Sequence, residues 1–437
     1  MTGWKVWAMA FGAALAAMLP AVSADMDRAQ PQRMQARIDA LSQFGRNADG
    51  GVDRVAYSQA DIDSRAWLMD EMRALGLDVR IDAGGNIIGA RAGREPGLKP
   101  IVFGSHTDSV PGGGNYDGDV GVIAALEVIE LLNDAGHKTR HPLEVINFSN
   151  EEGGLVGSLA YTGRLKAEAM SVETHAGMSI AEGIRAIGGN PDDVNADSVS
   201  PGDIAAFLEL HIEQGAVLYR DGTHIGVVEG IVGIGWWDVT VEGFANHAGT
   251  TPMAGRRDAM VAASRLTLAI NRIALEEPGR QVATVGRIKA FPGAPNVIPG
   301  RVEMSLEIRD LEQNKIDRMF SLIRQAAAGI ASETGTDIGF QPVDVASHPA
   351  PTDPRMRRII AEAAASLGYS ARVMPSGAGH DAQDMVTIAP TGMIFVPSKD
   401  GISHSPQEYT APEDMARGAD VLLRSILEID AGALTRD

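Results

Sequence analysis

Three stretches of this chain share one pattern: PIVFGSH (100–106), PLEVINFSNEE (142–152) and IAAFLELHIEQG (204–215). Each is a continuous apolar run, as expected of a strand covered on both faces, and each ends on side chains able to do chemistry. Between the first two lies VGVIAALEVIELLNDAG (120–136), whose apolar residues recur at helical spacing and which stops on a glycine. Strands alternating with helices build a largely parallel α/β sheet. Such sheets bind ligands at the carboxyl ends of their strands, which is where all three runs put their polar residues.

The remainder of the chain refines this. Residues 25–97 read as helix and then strand, with turns at DAGG and RAGREPG. Near Ile225 the character changes. GIGWWDVTVEGFA, ATVGRIKAFPG, NVIPGRVEMSLEIRD and DIGFQPVDVAS are strands, and DAMVAASRLTLAINRIALEE and IDRMFSLIRQAAAGIASETG are helices. Their β-α-β-β-α-β order predicts a ferredoxin-like sandwich over 225–347. It would be inserted through two hinges into a larger unit of residues 25–224 and 348–437.

The first 24 residues stand apart. Lys5, an apolar run from Val6 to about Val22 broken at Pro20, and Ala-Val-Ser-Ala before Asp25 form a secretory signal pattern. Cleavage is expected after Ala24, giving a periplasmic or secreted protein without stable membrane association. A formal charge of −19 speaks against a nucleic-acid partner. The chain has no cysteine, so any metal must be held by nitrogen and oxygen and no thiol can act as nucleophile.

The densest chemistry is in GSHTDSVPGGGNYDGDVG (104–121). Its glycines suggest a phosphate loop, but the Gly-Lys-Ser/Thr such a loop needs is missing. Any one of its acids, taken alone, reads as part of a solvated loop, and Asp119 as a helix-start acid. Repetition points elsewhere. His106 follows one strand, Glu151 and Glu152 another, His211 a third, and His404, in DGISHSP, a fourth. Imidazoles and carboxylates at several strand ends converge in space, as metal ligands must.

Taken together, GSHTDSV, NYDGDVGV, NFSNEEG, LELHIEQG, NHAGTTPM, NVIPGRVEMSLEIRD, SGAGHDAQDM and ISHSP resemble the M20-type dinuclear metallohydrolases. The likeness runs from about residue 35 to the C-terminus. It is to the amidase branch, which holds N-carbamoyl-L-amino-acid hydrolases, ureidopropionases and allantoate amidohydrolases. It implies two divalent ions per subunit, zinc first, with manganese, cobalt or nickel as alternatives. His106, Asp117 and His211 would hold one ion, and Asp117, Glu152 and His404 the other. A shared anionic oxygen lowers the repulsion between two cations about 3.5–4 Å apart. Asp108 would orient the ring of His106, and Glu151 would be the general base.

The same resemblance implies that Gln214, His247, Asn296, Arg309 and Gly379 contact a carboxylate- and ureido-bearing small molecule. His247 would polarise the carbonyl oxygen, and the planar fork of Arg309 suits a carboxylate. No role is implied for His380 or Asp381. Peptidases of the group carry an acid where His211 stands, so the histidine implies an amidase. The inserted domain would serve as lid and as the surface of a homodimer, placing His247 to serve the partner's site. The expected activity is hydrolysis of N-carbamoyl-L-amino acids, with allantoate as the near alternative. A dipeptidase or aminoacylase, or an inactive binding protein on the same fold, stands further off.

Overall fold

The computed structural model describes residues 28–343 and 347–435. The expected signal segment (1–24) and residues 344–346 of the last expected strand lie outside that range. The described residues form one mixed sheet of nine strands, a second of five, and a two-stranded ribbon of Asn246–His247 with Val297–Ile298. The large sheet runs Asp78–Ile81, Ile87–Arg91, Leu143–Phe148, Ile101–His106, Ala206–Ile212, Thr391–Val396, Ile225–Ile231, Ala350–Pro351, with Ala371–Ser376 also beside Ile225–Ile231.

Its four middle strands, from Leu143–Phe148 to Thr391–Val396, are parallel. The flanks are mixed, with an antiparallel hairpin at one side. The reason lies in the residues: of the four middle strands, only Glu144 is not fully buried. On one face pack the helices Asp119–Asp134 and Pro412–Asp430, whose Val122, Leu126, Ile129, Leu422 and Ile426 meet Phe103, Leu208 and Val396 in a single core. On the other face Phe148, Phe207 and Phe395 form a second core with Met385 and Met393. Each such side chain contributes about 1.5–3 kcal/mol on burial. Because the middle strands point the same way, residues 106–108, 149–152, 211–214 and 397–404 all emerge at one edge.

The second sheet is antiparallel, in the order Ile288–Phe291, Arg301–Asp310, Gly233–Glu242, Asp337–Val343, with Val282–Thr284 beside Arg301–Asp310. Helices Ala259–Glu276 and Gln313–Thr334 close over it. Val239, Val241, Leu266, Ile270, Met304, Leu306, Met319 and Ile323 form a core separate from the other two. Asp258 caps the first of these helices by accepting the N–H groups of Met260 and Val261. Among the described residues no helix is long and apolar enough to cross a membrane.

One boundary differs from the sequence expectation. Ile225–Ile231, assigned above to the inserted unit, is a strand of the large sheet, paired with Thr391–Val396 and Ala371–Ser376. Ile225, Val227, Val228 and Ile231 are buried, whereas alternating exposure begins only at Gly233. The chain enters the second sheet there, not at Ile225.

Candidate metal centre

His106 is the last residue of its strand and pairs with Phe148, level with the start of the Ser149–Glu152 turn. Its Nδ1 lies 3.0 Å from the main-chain oxygen of Asp108. The ring therefore donates from Nδ1 and turns the lone pair of Nε2 inward, 3.9 Å from Asp117 Oδ1 and 3.7 Å from Glu151 Oε2. Burial lowers the ring's pKa to about 4, so it is a neutral ligand-ready imidazole at pH 7. His211 repeats the geometry but not the titration: burial lowers its pKa, but the hydrogen bond and charge of Asp117 outweigh that and raise it to about 9. Its Nδ1 is 2.9 Å from the Ile212 carbonyl, and its Nε2 is 3.0 Å from Asp117 Oδ1 and accepts the Gly118 N–H at 3.2 Å.

Asp117 divides its carboxylate. Oδ1 faces His106 and His211, while Oδ2 lies 3.1 Å from His404 Nε2, which is itself 3.5 Å from Glu152 Oε1. Gly118, with φ of 67°, makes this possible, because a Cβ there would stand 2.5 Å from the His106 ring. Three other residues of the site also hold positive φ: Asn150, Gln214 and His404, at 49°, 56° and 54°. Backbone held in that region is strained, and such strain collects at functional sites.

Ligand atoms of His106, Asp117 and His211 lie within 4.8 Å of one another, and so do those of Asp117, Glu152 and His404. These are the two sets expected from sequence, sharing the expected residue. Their chemistry fits divalent cations. Every donor is nitrogen or oxygen, and Glu152 Oε1 is buried with no hydrogen-bond partner. Burial and then the neighbouring Glu152 hold the Glu151 carboxyl well above its usual range. Burial and then Asp117 push Glu152 up to about 8. Positive charge between these acids would reverse both effects.

Asp108 acts by two routes. It meets His106 through its main-chain oxygen, with Oδ1 at 3.7 Å from Nδ1. Its carboxylate instead accepts the N–H groups of Glu151 and Glu152, each at 3.1 Å. Glu209, His211 and His380 make a third cluster. Both oxygens of Glu209 are already engaged, by Ser105 Oγ at 2.8 Å and Ala382 N at 2.9 Å. The His380 ring stands edge-on to His211 at 4.4 Å. This cluster therefore packs against His211. Asp381, next in the chain, is fully buried.

The expected substrate residues divide. Gln214 reaches the centre, its Nε2 donating to Asp117 Oδ2 at 2.7 Å. Arg309 grips Glu307 through Nε (2.8 Å) and Nη2 (3.3 Å), and its Nη1 donates to Gly377 O at 2.6 Å, beside exposed Gly379. His247 is exposed on a short strand paired with Val297–Ile298 in the second unit, and Asn296 is exposed in the turn just before that partner strand. Nδ1 of His247 accepts from Gly249 and Thr250, which leaves Nε2 as a free N–H donor. Among the described residues no hydrogen bond or ion pair joins His247 or Asn296 to the ligand cluster. One cavity of about 360 Å³ opens beside Asp108, Asn150 and Glu152. Another of about 480 Å³ opens beside Gln214, Gly377 and Arg280.

Two supporting residues escaped the sequence reading. Buried Arg54 donates to Thr107 O at 2.6 Å and to Asp119 Oδ2 at 2.5 Å, so Asp119 is half of a buried ion pair as well as a helix-start acid. Glu408 accepts the N–H of Asp117. The second could have been found from its place four residues after His404. Nothing local marks Arg54.

The chain matches Peptidase family M20/M25/M40 over residues 102–428. It is 38% identical over 408 residues to the N-carbamoyl-L-amino acid amidohydrolase of Geobacillus stearothermophilus, covering 92% of this chain and 99% of the relative. It is 36% identical over 391 residues to the allantoate amidohydrolase of Bacillus subtilis, covering 88% and 94%. A crystal structure of an amidase of the hydantoinase/carbamoylase family from Burkholderia multivorans superposes with a TM-score of 0.86 at 37% identity, covering 92% and 98%.

Proposed function

This chain belongs to Peptidase family M20/M25/M40, and on that premise we propose that it hydrolyses the carbamoyl C–N bond of N-carbamoyl-L-amino acids. It is a hydrolase of linear amide bonds, and the products of this reaction are the amino acid, carbon dioxide and ammonia. The observation that carries the reading is the division of Asp117: Oδ1 toward His106 and His211, Oδ2 toward His404 and Glu152, with Glu151 Oε2 facing the same space.

His106, Asp117 and His211 would hold one divalent ion, and Asp117, Glu152 and His404 a second. Zinc suits this donor set, and manganese, cobalt and nickel are accepted by the same ligands. When bound, the pair supplies Lewis acidity that polarises a carbonyl and acidifies water. Glu151 takes the proton of the attacking water at its carboxylate and returns it to the departing nitrogen. Asp108 keeps Glu151 in place through the main chain. Arg309 engages the substrate carboxylate, Asn296 and Gln214 the ureido group, and His247 Nε2–H the carbonyl oxygen, with Gly379 also against the substrate. For Arg309 this requires exchanging the Glu307 carboxylate for that of the substrate.

Since His247 and Asn296 belong to the second unit, on a two-stranded ribbon and the turn before it, that unit is read as a ferredoxin-like lid closing over the cleft. Its outer helix shows Val261, Leu268 and Leu275, all exposed and seven residues apart, which suits a homodimer surface. Residues 1–24 support export to the periplasm or medium. Allantoate is the second reading, favoured by the similarity to the Bacillus subtilis enzyme.

A panel decides it. Metal-reconstituted protein is expected to release ammonia from N-carbamoyl-L-amino acids faster than from allantoate, and to leave dipeptides intact. Dipeptide cleavage without ureide turnover would overturn the reading.

A further inference from the structure

Asp117 and His404 come from loops on different strands, and one buried side chain joins the two. Glu408 is 3% exposed. Its Oε1 accepts the N–H groups of Tyr116 and Asp117 at 2.9 and 3.0 Å. Its Oε2 lies 2.8 Å from Ser403 Oγ and accepts the His404 N–H at 3.3 Å. Ser403 Oγ also sits 2.9 Å from Asp117 Oδ2, so its single proton is offered to both carboxylates. The space for Glu408 is made by Gly114, where a Cβ would lie 2.2 Å from Oε1. The contact to the His404 N–H also bears on a residue whose φ of 54° is unfavourable for a non-glycine.

We propose that Glu408 is a positioning residue that joins the Asp117 loop to the His404 loop and so assembles the ion site formed by Asp117, Glu152 and His404. The proposal rests on the dinuclear reading above. Only a carboxylate can accept on both sides at once, because every neighbour contacting Glu408 is an N–H or O–H donor. Glutamine keeps the shape but can accept on one side only. The two N–H groups of Tyr116 and Asp117 win its oxygen, and its NH2 then faces the His404 N–H, donor against donor. Glutamine still accepts the Asp117 N–H, so the His106–Asp117–His211 site keeps its three ligands in place, its imidazoles being oriented by Asp108 O and Ile212 O. The effect of Glu408 is therefore one-sided, which a general loss of packing would not be.

The test titrates Zn²⁺ into metal-free protein by calorimetry, with circular dichroism on each variant. Wild type is expected to take up two ions per chain. Glu408→Gln is expected to bind one ion as wild type does and the other about 10–100-fold more weakly. Ser403→Ala, which removes only the hydroxyl between the two carboxylates, should weaken the same site by a smaller factor. Two sites of wild-type affinity in Glu408→Gln, or both weakened equally, would overturn the proposal. If Glu408→Gln does not fold, Ser403→Ala decides: selective weakening supports the proposal and unchanged binding overturns it. A wild-type chain that binds fewer than two ions would contradict the dinuclear reading itself, and the proposal with it.

Discussion

Oδ1 of Asp108 accepts the main-chain N–H of Glu151 at 3.1 Å, and Oδ2 accepts that of Glu152 at the same distance. One buried carboxylate thus sets the backbone from which two adjacent glutamates leave in different directions. Glu152 goes to the His404 side and Glu151 to the His106 side. Glu151→Gln is expected to retain both ions and lose about 10²–10⁴-fold in kcat. Glu152→Gln is expected to lose an ion. Metal analysis beside steady-state kinetics separates the two, and the reverse pattern would mean their roles are exchanged.

Asp108→Asn keeps the shape but can accept only one of the two N–H groups, and its amide opposes the other. The expected loss in kcat/KM is about 10–100-fold. Activity within a small factor of wild type would show that the 151–152 turn holds without this carboxylate.

Arg54 and Asp119 are buried together, each side chain 1% exposed. Burial pushes Asp119 up to about 7 against the pull of Arg54, so the pair is costly to bury and contributes little net stability. Removing one partner is different. Arg54→Met leaves Asp119 unpaired and deprives Leu41, Phe44 and Thr107 carbonyls of a donor. A loss of about 3–5 kcal/mol is expected in urea unfolding. Arg54→Met with Asp119→Leu should recover a large part of it, and a double variant no better than the single one would refute this account.

Asp384 gives a pH dependence remote from the ligands. Burial pushes its pKa up to about 6, although Arg164 lies 2.6 Å away, because that guanidinium is 41% exposed and screened. The folded protein thus holds this proton more tightly than the unfolded chain does. Its stabilising contribution is fully present below about pH 4 and is lost as pH rises through about 6. The stability of wild type relative to Asp384→Asn should fall by roughly 1–3 kcal/mol between pH 4 and 7. A difference that rises with pH would mean the pair with Arg164 dominates.

Much of this site was legible because its ligands follow continuous apolar runs. PIVFGSH and IAAFLELHIEQG announce buried parallel strands, and parallel strands bring their ends together. What local pattern cannot show is which loops touch. Glu408 and Arg54 work by joining segments far apart in the chain; Glu408 is marked only by lying four residues after His404, and Arg54 by nothing local. Asp119 read as a helix-start acid because its partner is 65 residues away. Ile225–Ile231 was assigned to the wrong sheet because a short apolar strand looks the same whichever sheet buries it. His247 and Asn296 are placed on the second unit but not against the ligands, since local sequence pattern does not set where one unit lies against another.

The most direct test of the central claim is ammonia release from an N-carbamoyl-L-amino acid while Zn²⁺ is titrated into metal-free protein. No turnover is expected without metal, and full turnover only as the second equivalent per chain is bound. Full turnover by the metal-free chain, or a plateau at one equivalent, would contradict that claim.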